Sequence, residues 1–319
     1  MEAFRNIKTL KFLAAILLFA SVFALVQFLI SYGLLNPYHE IILFLIGINI
    51  ILSVSLNLIS GITGQFSIGH AGFMSVGAIC TTKLGYPFPV ALVAAIAAAG
   101  LTGLLIGIPT LRLRGDYLAI ATLGFGEIVR VIFLNIEYVG GAAGMIGIPR
   151  LTNWPWLFGS VIMTVFIIQN LIRSSYGRAC IAIREDELAA EFMGVNTTAC
   201  KVLAFSIGAA FAGLAGVLYA HYFFLIQPAN FNFLKSFDIL VIVVLGGMGS
   251  TTGAVLAAVF LTIVSAWLSS FSDVRMILYA LVLIIIMIRR PQGLMGNKEL
   301  SLKMFGKFRK RDKNAAVGD

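Results

Sequence analysis

Long uncharged runs divide this chain, and short polar stretches separate them. Leu13 to His39 carries no charge, and neither do Ile41 to Thr82, Leu84 to Leu111, Val202 to Leu234 and Ile239 to Ser272. A bilayer crossing needs roughly 20 apolar residues, so several of these runs hold more than one span. Gly61, Gly64 and Gly69 divide the second run. The pattern predicts helices near 12–35, 41–60, 68–84, 89–110, 117–137, 155–173, 200–222, 237–249, 252–271 and 274–290. Residues 138–154 are rich in Gly and Pro and read as a loop, after which Trp154 and Trp156 open a helix as an interfacial aromatic anchor. The first run exceeds the short apolar region of a signal peptide and reads as an uncleaved helix. The expected fold is an all-α, polytopic inner-membrane bundle of about 8–10 transmembrane helices.

Composition supports this. The chain is 60% hydrophobic and 12% charged, where a soluble domain averages about 25% charged. The mean hydropathy of +0.98 leaves too few charged residues to clothe a soluble core of this length. The net charge of +9 does not point to nucleic acid, because the basic residues are sorted by membrane side. With an inner N-terminus and ten crossings, 18 of the 23 Lys and Arg fall on the inner side and four on the outer. That is the positive-inside asymmetry, and it predicts cytoplasmic termini. One membrane domain over residues 1–295 and a basic cytoplasmic tail over 296–319 follow.

One stretch departs from the apolar pattern. Residues 173–201 hold eight charges: Arg173, Arg178, Arg184, Glu185, Asp186, Glu187, Glu191 and Lys201. The topology makes it cytoplasmic. Helical character from Gly177 ends at the stop signals Gly194 and Asn196. A short helix with an Ala and Leu face, including Ala190, suits docking into a groove; a solvated loop with a few helical turns is the simpler alternative.

Catalytic signatures are missing. The sequence has no phosphate loop, no HExxH and no GxSxG. His39, His70 and His221 are scattered and the three cysteines lack ligand spacing, so no metal is expected. Glu127 and Arg130 are the clear intramembrane charges, three apart on one helical face. They read as an ion pair that locks a helix, or as groups lining a pathway or meeting a neighbouring subunit. Gly61 to Ala78 is rich in small residues, which allow close helix packing. It also holds Gln65, Ser67, Gly69 and His70, whose polar members packing does not require. An irregular turn at membrane depth must be buried in protein or line a cavity, and a helix starting there favours a carboxylate. A second glycine cluster, with Gly246, Gly247 and Gly249, leads into another small-residue helix. The two read as corresponding parts of an internal repeat, the kind of feature that marks a transport site.

The stretches GQFSIGHAGFMSVGA, LRLRGDYLAIATLGFGEIVR, GRACIAIREDELAAEFMGVN and VVLGGMGSTTGAVLAA resemble, in this order along the chain, blocks of the permeases of branched-chain amino acid ABC importers. The LRLRGDYLAIATL block and the length resemble the LivM-type subunit. The resemblance implies a LivH-like second permease, two cytoplasmic ATPases that bind ATP and Mg, a periplasmic substrate-binding protein and a home in a bacterial or archaeal cytoplasmic membrane among its lipids. No cofactor is expected on this chain. ELAAEFMG resembles the loop by which such permeases dock on the ATPase, with Leu188 where the pattern has Ala. That makes Arg178, Arg184, Glu185, Glu187, Ala190 and Gly194 the implied coupling residues. Related importers carry urea or short amides. A secondary transporter would need more intramembrane coupling groups than Glu127 and Arg130, and a membrane enzyme would need a catalytic constellation.

Overall fold

The computed structural model describes residues 21, 23–33, 36–82, 87–111, 113, 115–268, 281, 284, 288–289 and 293–296. The expected last helix lies largely outside them, as do the start of the first and most of the tail. Among the described residues, six helical segments are long and apolar enough to cross a membrane. The chain is therefore an all-α, multi-pass membrane protein.

Helix α1, Pro37–Leu56, begins where Pro37 occupies the first turn and the Asn36 side chain accepts the Tyr38 N–H. Proline suits that position because its missing N–H would be unpaired there anyway. The helix widens into a π-turn, Asn57–Ile62, and stops at Gly64, whose φ is +72°. A segment without regular secondary structure, residues 64–69, leads to α2, His70–Thr82. At 13 residues α2 is only about 20 Å long, short of a full crossing. The helix expected over 68–84 thus starts two residues later, because the irregular segment runs on through Gly69.

Helices α3, Phe88–Thr110, α4, Asp116–Asn135, and α5, Trp154–Arg173, follow the expected spans closely. The polar stretch after α5 folds as two helices, α6, Ser175–Glu185, and α7, Glu187–Phe192. The sequence suggested one. Asp186 separates them because its backbone is extended and its carboxylate accepts the Ala189 N–H at 3.0 Å, capping α7.

Helix α8, Thr197–Phe223, is the hub. Its glycines face three neighbours. Gly208 meets Ile59 and the Ser55 carbonyl on α1, Gly213 meets Ala95 and Ala99 on α3, and Gly216 meets the Met74 carbonyl on α2. Small residues permit such approach where lipid gives no hydrophobic drive between helices. Helix α9, Phe233–Gly246, is also short at 14 residues; α10, Thr251–Leu268, completes the described bundle. Gly246 and Gly253 abut at the α9–α10 turn. The first glycine break follows a long helix and the second follows a short one, so the two flanks differ in order.

The loop after α4 is more ordered than its composition suggested. Two 3-10 turns lead to β1, Met145–Ile146, which pairs antiparallel with β2, Leu225–Ile226. Met145 faces Ile226 and Ile146 faces Leu225.

Candidate functional site

Three separately noticed features meet at one end of α1. The π-turn places Gly61 against the second glycine cluster, where a Cβ on Gly61 would overlap the Gly249 amide nitrogen and the Asn57 amide oxygen. Asn57 Oδ1 accepts the Gly249 N–H at 2.9 Å. The Gly61 carbonyl in turn accepts a hydrogen bond from Arg184 Nη1 at 2.9 Å. The guanidinium also pairs with Glu185 at 2.6 Å. The polar stretch is thus hydrogen-bonded to the junction of the two breaks. Single-turn π insertions are frequent at functional positions, and this one delivers the carbonyl that Arg184 uses.

A cavity of about 270 Å³ lies beside this junction, lined by Gly64, Gln65, Leu118, Arg184, Glu187 and Lys201 among others. Lys201 and Glu187 pair at 2.6 Å and tie α7 to α8. The Tyr176 hydroxyl donates to the Cys200 carbonyl and ties α6 to α8. Gln65 is buried with neither amide atom partnered, and the Ser67 hydroxyl is likewise buried without a partner. Fully buried His70 bonds Ser55 through Nε2 at 2.8 Å and leaves Nδ1 unpartnered. Buried polar groups without partners cost stability, so a run of them along residues 65–70 is not explained by packing.

The remaining pathway candidates sit differently. Gly69 lets the chain pass against the Thr122 carbonyl of α4, and the Ala71 N–H is capped by Ser236 at 3.0 Å. Gly246 serves the α9–α10 turn. Gly247 and Gly249 have φ of +103° and +95°, where glycine is favoured. Glu127 and Arg130 are in contact at 2.7 Å, and Glu127 Oε1 also accepts the Phe233 N–H at 2.9 Å. The pair thereby anchors the start of α9.

The polar stretch has two faces. Ala190 is buried, and Arg184 points inward, so neither side chain is offered outward. Arg178 bonds Ser175 and the Arg173 carbonyl, within its own helix region. The outward face carries three large apolar side chains among exposed acidic ones. Leu188 is 55% exposed, Phe192 90% and Met193 84%. Leu188 belongs to the Ala and Leu face expected to dock, whereas Phe192 and Met193 were not singled out from sequence. Their signal was a pair of large apolar residues directly before a helix-stopping glycine. Gly194 ends α7 with φ +83° and open space where a Cβ would go, while the Val195 N–H reaches back to the Ala190 carbonyl at 3.1 Å. Burial pushes the Cys180 thiol of α6 up to about 12, with Cys200 adding in the same direction, so it stays protonated and inert near neutral pH.

Among the described residues no group of His, Cys, Asp and Glu could hold a metal ion. No solved structure matches the chain. The family described as "Branched-chain amino acid transport system / permease component" matches residues 38–288. The chain is 37% identical to the high-affinity branched-chain amino acid transport system permease protein LivM of Salmonella typhimurium, covering 81% of this chain and 70% of that one. It is 35% identical to LivM of Escherichia coli strain K12, covering 94% and 78%. Against the LivH permease protein of Salmonella typhimurium it is 32% identical, covering 53% and 62%. A family match across most of the chain and relatives of this similarity place the protein in the family of branched-chain amino acid transport system permease components.

Proposed function

We propose that this chain is the LivM-type permease subunit of an ATP-driven importer that moves branched-chain amino acids into the cytoplasm. Its partners would be a LivH-like second permease, two ATPases that carry ATP and Mg, and a periplasmic substrate-binding protein. The observation that carries the reading is the polar stretch itself. It offers three exposed large apolar side chains, Leu188, Phe192 and Met193, and holds the junction of both glycine breaks through Arg184 on its other face. An exposed apolar patch on an otherwise polar element marks a protein contact. ATP-driven movement of α6 and α7 would then reach Gly61 and Gly249, beside the unpartnered groups of residues 65–70. In this reading the stretch and both termini are cytoplasmic, and the chain sits in a bacterial or archaeal cytoplasmic membrane.

The full chain, tagged and purified from membranes that also express its neighbouring transport genes, is expected to carry an ATPase subunit with it. Its proteoliposomes are expected to accumulate labelled leucine only with ATP. Leucine uptake that needs no ATPase and follows an ion gradient would make it a secondary transporter, and uptake of urea in place of leucine would reassign the substrate.

Gly194→Glu tests the docking face separately. The left-handed backbone there costs a side-chain-bearing residue about 1–2 kcal/mol, and the open surroundings mean that no clash is added. The variant is expected to insert normally and to lose most ATP-dependent uptake, because the end of α7 and its exposed Phe192 and Met193 are displaced. Wild-type uptake in this variant would remove the docking role.

A further inference from the structure

A second cavity, of about 230 Å³, lies at the other end of α1. Glu40 is in the first turn of α1 and Gly61 is 21 residues further along, so the two sites are about 30 Å apart. Helices α5 and α8 run between the same two ends: α5 from Trp154 to Arg173, and α8 from the polar stretch to Tyr222.

The cavity is built from both signs of charge. Arg150 Nη2 meets Glu40 Oε1 at 2.6 Å, and its guanidinium lies 4.8 Å from the centre of the Tyr222 ring. Tyr222 is itself stacked on Phe44 at 3.8 Å, which fixes the platform. Two further polar atoms lack partners. Trp154 is 9% exposed and its indole N–H is unpaired; the side-chain oxygen of Gln27 is also buried and unpaired. Both residues line the cavity, with Phe44 and Ile30 supplying apolar wall. A buried indole N–H normally finds an acceptor, and a buried amide oxygen a donor.

Each feature narrows the ligand. Arg150 and the indole N–H suit an anionic group, while Glu40 and the Gln27 oxygen suit an ammonium. A lone metal cation would be repelled by Arg150, and a simple anion by Glu40. The volume falls below the roughly 300–1,000 Å³ typical of drug-sized ligands, so the ligand is small or is the end of a larger one. We propose that the cavity framed by Glu40, Arg150, Trp154 and Gln27 binds a small zwitterion, a primary ammonium held close to an anionic group. A free α-amino acid and the phosphoethanolamine headgroup of a lipid share this chemistry. The site rests on the transport reading only for the choice of leucine as the free probe.

The test uses the full permease complex in nanodiscs of phosphatidylglycerol alone, which lack an ammonium-bearing lipid. Adding L-leucine is expected to change tryptophan fluorescence saturably, and Trp154→Phe is expected to abolish that change while Trp156 and Trp267 remain. Glu40→Gln is expected to weaken the response by roughly tenfold or more, the scale of one charge-assisted hydrogen bond. Glu40→Asp, which keeps the carboxylate, is expected to recover part of it and serves if Glu40→Gln fails to fold. The keto-acid analogue, without the ammonium, is expected to give no response. The same Trp154 change on adding phosphatidylethanolamine, with none from leucine, would assign the site to the lipid. No Trp154 change with either, or a full response in both Glu40 variants, overturns the proposal. Leucine uptake is measured on the same preparation. Uptake without the fluorescence change sinks the site alone, whereas absence of ATP-dependent uptake sinks the transport reading.

Discussion

Arg184→Ala is expected, under the importer function proposed above, to leave the permease inserted and the ATPase bound while the substrate moved per ATP falls by roughly ten- to a hundredfold. Arg184 is the described side chain that hydrogen-bonds the polar stretch to the π-turn of α1. Its Nη1 donates to the Gly61 carbonyl at 2.9 Å, and its Cγ lies 3.1 Å from where a Cβ on Gly64 would stand. A hydrogen bond from a charged donor contributes about 1.5–3 kcal/mol, which is a factor of about ten to a hundred in a conformational equilibrium it controls. Removing it frees α6 to move without the glycine junction. A purely structural role would lower uptake and ATP hydrolysis together, through less folded complex. A coupling role separates them, so the measured quantity is the ratio of leucine transported to ATP hydrolysed in proteoliposomes. Arg184→Lys keeps the charge but not the fork-shaped donor set, and is expected to fall between the two. An unchanged ratio in Arg184→Ala would remove Arg184 from the coupling route.

Why Arg184 turns inward could not be read from the chain. Helical phase can be read where apolar and polar residues separate, but residues 182–187 mix both, and Asp186 breaks the phase between α6 and α7. What was legible followed from long apolar runs with few or no charges, as in α3, α4, α5 and α8, whose length sets the element. Helix stops were legible at Gly194 and starts at Trp154. The shortness of α2 was not, because Gly64 to Gly69 continue the uncharged run while leaving the helix. Nor was the β1–β2 pairing, in which Met145 and Ile226 are far apart in sequence. The site itself was legible as parts. Both glycine clusters and the polar stretch stood out, yet their meeting at Gly61, Gly249 and Arg184 depends on tertiary packing. Glu40 and Arg150, 110 residues apart, had no local signal at all.

Gly216→Val is expected to destabilise the subunit severely enough that it is lost on extraction, where Gly159→Ala is expected to be tolerated. Both glycines lie in helices, and Gly216 belongs to the small-residue row Gly208, Ala212 and Gly216, which Gly159 lacks. The difference is what stands opposite. A Cβ on Gly216 would overlap the Met74 carbonyl oxygen of α2 and come within 2.9 Å of the Ala78 amide nitrogen. Those are backbone atoms in a buried helix, so they cannot swing aside as a side-chain end would. At Gly159 on α5 nothing lies within 4 Å. Overpacking a core typically costs about 1–3 kcal/mol, and a backbone clash at the hub belongs at or above the top of that range. Valine adds two methyls to the offending Cβ and must displace α2 from α8. With Gly213 meeting α3 and Gly208 meeting α1 along the same helix, α8 has no direction in which to retreat. Against a total stability of about 5–15 kcal/mol, a loss of that size takes from about a fifth to more than half of the margin that carries the subunit through extraction. The expected reading is aggregated or absent protein for Gly216→Val by size exclusion after detergent extraction. Gly159→Ala should melt within a few degrees of wild type. A monodisperse Gly216→Val subunit with an unchanged melting point would mean that α2 and α8 do not cross at Met74.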